Sequence, residues 1–268
     1  MRPSRSLAVI QLATLAFATG FVASPTWAVS AQDVASAIEA AHGKSAWYAK
    51  DAVEVDIHVQ GFGGLELEGT MLFTPSLGEV RFELVEGTTL IYNRGDAWMT
   101  PSDADMSPAM ARFHVLTWPY FVAVPFKIND PGVHLGEPVP MPVTHPDDTT
   151  TAVQMTFGQG VGDAPDDWYY LLPNDDGVLE ALSYIVTYGK PQDDAEEQPS
   201  IVLYDDFRTI DGVTLPFHWE FHYWHKDSGV AEGEPKGTAR IQSVRFVTPP
   251  ADAFEKPANA TPLPAPAS

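Results

Sequence analysis

The chain has no cysteine in 268 residues. That excludes disulfides, thiolate zinc sites, a cysteine nucleophile and lipid attachment at a lipobox. It is also poor in positive charge: 15 Lys and Arg stand against 36 Asp and Glu, for a formal net charge of −21. The few basic residues are scattered. A chain this acidic without a basic patch is not suited to nucleic acid or to an anionic membrane surface. Several motifs are missing as well. There is no Gly-x-Ser-x-Gly elbow, P-loop, dinucleotide fingerprint or His-Glu-x-x-His. None of the acidic pairs has EF-hand spacing. No catalytic residue and no cofactor is therefore expected.

One long apolar run is present, at the start. Arg2 and Arg5 precede the stretch Leu7 to Ala23, and Thr26-Trp27-Ala28 ends in a small residue. This predicts a cleaved export signal over residues 1–28, with the mature protein periplasmic or secreted. An uncleaved membrane anchor is the alternative, at the short end of what a span needs. An exported chain without disulfides must be held by its core, and 44% hydrophobic residues are enough to build one.

After a predicted helix from Ala31 to Ala41, capped by Ser30 and closed by Gly43, the pattern changes to period two. Val53, Val55, Ile57 and Val59 alternate with Glu54, Asp56, His58 and Gln60. Similar alternation continues through Leu65–Phe73, Val80–Leu84, Thr88–Tyr92 and Ala97–Thr100. This is an antiparallel meander with one apolar and one charged face. Further strands are expected at Thr151–Phe157, Trp168–Leu172, Val178–Tyr188 and Gly237–Val247, with short extended pieces over residues 130–150.

Two stretches interrupt this regularity. The first, Met110 to Phe126, reads MARFHVLTWPYFVAVPF and has almost no polar face. Ser107-Pro108 starts it as a helix, and Pro119 is expected to end that helix near Thr117, with a second turn after it. Being apolar all round, it must be covered on most sides, as a plug or lid on the concave face of the sheet. The second is a hairpin turning at Asp211-Gly212. In its second strand Val213, Leu215, Phe217, Trp219, Phe221 and Tyr223 share one face, while His218, Glu220 and His222 share the other. Asp205 and Asp206 lie in the first strand, so one of them is expected to point inward and to pair with an arginine such as Arg208, Arg94 or Arg112.

Two classes of site can be built from these elements. Phe113, Trp118, Phe121, Leu215, Phe217, Trp219 and Phe221 could line an apolar ligand cleft between sheet and plug. His218, Glu220 and His222, with His58 on another strand, have side chains suited to a first-row metal. The other reading of that row is a solvated outer face.

The run Tyr204-Asp205-Asp206-Phe207-Arg208-x-x-Asp211-Gly212-Val213-x-Leu215-Pro216 resembles the hairpin of the LolA/LolB-like periplasmic lipoprotein carriers. Ala41-His42-Gly43 with Trp47, and Trp118-Pro119-Tyr120 to Pro125-Phe126-Lys127, are similar to secreted relatives of that group. The resemblance implies a mainly β fold with α elements, an open, strongly curved antiparallel half-barrel. Helices would cover its concave face, which would hold an acyl chain or another lipid. The expectations are then a single domain over 29–248, a disordered Pro/Ala-rich tail over 249–268, and a monomer. Its partner would be an apolar small molecule or lipid, with an envelope protein as a possible second partner. A metal-binding protein or a ligand-free interaction scaffold are the alternatives.

Overall fold

The computed structural model describes residues 29–266, so the expected export signal over 1–28 lies outside the described residues. Among those described, no helix is long and apolar enough to cross a membrane.

The chain opens with α1 (Ala31–His42) and the short α2 (Lys44–Trp47). Ser30 Oγ accepts from the Asp33 amide and the Asp33 carboxylate accepts from the Ser30 amide, so the first turn is capped in both directions. Five strands follow as a meander: β1 (Ala52–Gly61), β2 (Leu65–Phe73), β3 (Glu79–Leu84), β4 (Thr89–Asn93) and β5 (Asp96–Thr100). Next come α3 (Pro108–Ala123) and a 3-10 turn (Val124–Phe126), then β6 (Val133–Leu135), β7 (Val139–Pro142), β8 (Thr149–Phe157), β9 (Tyr169–Pro173) and β10 (Leu179–Tyr184). The last part holds α4 (Gln192–Glu196), β11 (Ser200–Ile210), β12 (Val213–His225), β13 (Gly229–Val230), β14 (Gly237–Val247) and β15 (Thr261–Pro262).

These strands form one antiparallel sheet in the order β15-β5-β4-β3-β2-β1-β14-β12-β11-β10-β9-β8-β6, with β13 on β12 and β7 on β8. The two ends do not pair, so the sheet is open. It curls around α3, which lies against β3, β4 and β5 while its Phe121 ring meets Tyr184 of β10 and Phe221 of β12. Val53, Val55, Ile57 and Val59 are fully buried on the concave side, as their alternation requires. A second, smaller cluster forms on the convex side, where Met141, Ala152, Tyr170, Ile201 and Trp224 pack together under β7.

α1 covers the bottom of this curve and is fastened there by His42. The imidazole Nε2 accepts from the Leu179 amide at 2.9 Å, so Nδ1 carries the proton and donates to the Thr214 carbonyl at 2.8 Å. One neutral side chain thus ties α1 to β10 and β12. Gly43 follows at φ 79, and a Cβ there would lie 2.0 Å from the Gly212 carbonyl oxygen. The helix end and the Asp211-Gly212 turn meet so closely that only glycine fits.

Three expectations need correction. α3 does not stop at Thr117 but runs to Ala123 with Pro119 inside it. Proline removes the one bond to Val115, and burial of Val115, Trp118, Phe121 and Val122 holds the turns on either side. Asp205 and Asp206 both face solvent, because Asp206 adopts φ 52 and is skipped in the register between Asp205↔His218 and Phe207↔Pro216. The register is the same on either side of it, so the left-handed backbone of this one residue redirects its side chain, and Asp206 pairs with Arg208 on the surface. Residues 249–266 pack on the sheet. Ala253 and Phe254 pack on Ala52 and Leu72, β15 pairs with Trp98 and Met99 of β5, and Leu263 is buried in the main core. The Leu263 carbonyl accepts from Arg112, which is itself buried and bound to Asp163 and to the Gly95 carbonyl.

Two measurements follow. Removing residues 249–268 takes away an edge strand and one acceptor of a buried guanidinium. Stability should fall by about 3 kcal/mol or more in chemical denaturation. His42→Ala strands the Leu179 amide and the Thr214 carbonyl and should cost about 2–4 kcal/mol. Burial holds the His42 pKa down at about 4 against an ordinary value of 6.5. The unfolded chain therefore takes up a proton first as pH falls. The stabilisation by His42 is complete above 6.5 and declines, by about 3 kcal/mol in all, as pH falls towards 4. Thermal unfolding of the His42→Ala variant should show a shallower dependence on pH over that interval.

Candidate ligand-binding site

Between α3 and the concave face lies a cavity of about 610 Å³, within the range of pockets that enclose a drug-sized ligand. Four of the residues singled out in the sequence line it: Phe113, Trp118 and Phe121 from α3, and Phe221 from β12. Phe121 sits among rings, with centroids 5.2 Å from Tyr184, 5.6 Å from Phe221 and 6.3 Å from Trp219.

Leu215, Phe217 and Trp219 are buried in the core and do not line the cavity. β12 passes through two environments. Its first half lies beneath α1 and α2, where Trp219 donates to the Pro216 carbonyl and packs on Tyr204. Past Trp219, Phe221 lines the cavity, packed against Phe62, Trp118 and Phe121. Tyr223, two residues on, is 48% exposed, while Trp224 turns into the convex-side cluster and donates to the Pro142 carbonyl.

Other walls of the cavity were not picked out in the sequence. Phe62 sits at φ 48 in the Gly61–Gly64 turn, which drops its ring 5.1 Å from Phe221 and 6.1 Å from Trp118. Gly61 and Gly237 make that approach possible, since a Cβ on Gly237 would lie 2.3 Å from the Phe62 ring. Tyr92, Leu116, Tyr120, Phe157, Tyr169, Tyr184, Val186 and Tyr188 complete the apolar surface. The available signal was the glycine-rich turn around one aromatic residue, together with the tyrosines of β9 and β10.

The polar groups of the lining are few. His114 accepts from Trp118 Nε1 on its Nδ1 at 3.1 Å, so Nε2 carries the proton of a neutral ring. Burial lowers its pKa to about 4. Asp167 is pushed up to about 6 by burial, against the pull of the Thr187 amide and hydroxyl that donate to it. Burial also lowers Lys236 to about 8. Tyr120 is half-buried, but its hydroxyl is wholly buried and has no hydrogen-bond partner.

His218, Glu220 and His222 share one edge of the convex face without forming a centre. His222 is buried, its Nε2 3.5 Å from Glu220. Arg240 stands in register with both His218 and His58, so a guanidinium occupies the space between those two strands. Among the described residues no three His, Cys, Asp or Glu side chains are grouped so as to hold a metal ion.

No protein-family model matches the sequence, and a comparison with curated proteins found no match. Solved structures do match. A LolA superfamily protein from Nitrosomonas europaea is 13% identical, with a TM-score of 0.50 over 85% of this chain and 99% of its own. A candidate outer membrane lipoprotein-sorting protein domain from Vibrio parahaemolyticus is 7% identical, with a TM-score of 0.49 over 83% and 97%. A DUF1329 family protein from Desulfovibrio piger is 8% identical, with a TM-score of 0.46 over 83% and 97%. With its open curved sheet wrapped around an apolar helix, the chain has a LolA-like fold.

Proposed function

We propose that this protein is an exported binding protein that holds a lipid, an acyl chain or another apolar ligand between the sheet and α3. The observation that carries this reading is the cavity itself. A chain with 14 Phe, 9 Tyr and 7 Trp has ample bulk to fill its own interior. Yet about 610 Å³ stays open, bordered by Phe62, Trp118, Phe121 and Phe221. An apolar space of that size is unfavourable to leave empty and unfavourable to fill with water, which finds few partners there. An apolar guest resolves both costs, at ~25 cal/mol for each Å² of its surface removed from water. The LolA-like fold agrees with this use, as does the export expected from residues 1–28. Handling of envelope lipids or lipoproteins is the setting this reading suggests.

The test is direct. Purified protein should carry extractable lipid or bind a fluorescent acyl probe with micromolar affinity or better. Leu116→Trp places an indole ring where an aliphatic side chain stood at a half-buried wall position and should weaken probe binding about tenfold or more with little change in melting temperature. A protein free of lipid and indifferent to the probe overturns the reading.

A further inference from the structure

One cation in the lining stands apart. Lys127 is paired with Asp130. The carboxylates of the lining are also occupied: Asp163 is held by Arg112, and Asp167 accepts from the Thr187 amide at 2.6 Å and hydroxyl at 2.7 Å. Lys236 lines the same cavity, and among the described residues it has no carboxylate within ion-pair distance. Its ammonium group donates to Ser200 Oγ and lies 5.0 Å from the Tyr223 ring centre and 5.9 Å from that of Tyr184. A shortage of acids cannot explain this in a chain with 36 of them. A partly buried ammonium without a counter-ion is costly to keep.

The side chains around it carry hydroxyl groups. Ser200 stands opposite Tyr184 in the ladder of β10 and β11, and Tyr120 brings a buried hydroxyl with no partner to the same lining. Tyr120, Tyr169 and Tyr184 are linked by ring contacts of 5.7 and 6.1 Å, so these three tyrosines form one continuous group in the lining. An ammonium group and phenolic hydroxyls beside an apolar space match a ligand with one anionic end and one long apolar end.

We propose that Lys236 is the anchor for the carboxylate of a fatty acid, a single-chain amphiphile whose chain lies in the cavity between α3 and the sheet. The inference rests on the apolar-ligand reading above and adds a charge to it: the missing counter-ion of Lys236 arrives with the ligand. Asp167 does not neutralise the ammonium group, since it lies outside ion-pair distance of it and its Oδ1 accepts from Thr187.

Isothermal titration of the exported chain with laurate and with dodecanol, which share an alkyl chain and differ at the head, tests this. Laurate should bind on the order of tenfold more tightly, as a charge-assisted contact in a dry site allows. Dodecyltrimethylammonium, with the opposite charge, should bind more weakly than dodecanol. Lys236→Met should bring laurate down to the level of dodecanol and leave dodecanol unchanged, while Lys236→Arg should keep the preference. Equal binding of laurate and dodecanol by the unsubstituted protein overturns the proposal, and that comparison needs no variant to fold. A preference for laurate that survives Lys236→Met overturns it as well. If none of the three amphiphiles binds, the apolar-ligand reading fails and the anchor fails with it. If dodecanol binds as well as laurate, that reading stands and only the anchor falls.

Discussion

Everything in this protein depends on covering α3. A helix whose buried positions include Ala111, Val115, Trp118, Phe121 and Val122 has no side that water tolerates. A flat sheet could cover one face of it. The observed sheet bends far enough that β3–β5 and β10–β12 both reach the same helix. The opening that remains at the bottom is closed by α1, and the fit there is tight enough that Gly43 and Gly212 touch backbone to backbone. His42 holds that junction with two hydrogen bonds to different strands. Curvature, closure and the interior space all follow from the need to bury one segment.

The space is left by a mismatch of shapes. Trp118, Phe121 and Phe221 contact one another with centroids 5.6–6.4 Å apart, so the rings brace a wall and do not collapse into a solid. Phe62, forced into a left-handed conformation by its turn, props that wall from the β1–β2 side. Tyr120, Tyr169 and Tyr184 line the cavity beside that wall, and burial raises the pKa of all three. Those hydroxyls stay protonated and remain donors. Aromatic rings beside neutral hydroxyls, with one lysine that has no carboxylate partner among the described residues, make an amphiphilic interior.

Much of the fold was legible in the sequence because sheets and helices write themselves as periods. The alternation of Val53 to Val59 and the boundaries of β14 were read from residues alone, as were the caps of α1 at Ser30 and Gly43. Where a local rule met a tertiary demand, the tertiary demand prevailed. Pro119 should end a helix, and packing on several sides carries α3 through it. Alternation assigned one of Asp205 and Asp206 to the interior, and the left-handed backbone at Asp206 leaves both exposed. A Pro- and Ala-rich tail has the composition of disorder, yet Phe254 and Leu263 find partners on the sheet.

By itself the sequence determined the mainly antiparallel architecture, the apolar segment that had to be enclosed, and the aromatic character of the wall around it. These are properties of short stretches, governed by hydrophobic periodicity and turn chemistry. Only the tertiary structure decided which aromatics are packed solid and which face the cavity. Phe217, Trp219 and Phe221 look alike in sequence, yet of the three Phe221 alone lines the cavity. It also decided that Lys236 would be brought among tyrosines from distant strands without a carboxylate beside it. Such a juxtaposition leaves no periodic trace, because it depends on where the sheet curls and where the helices stop.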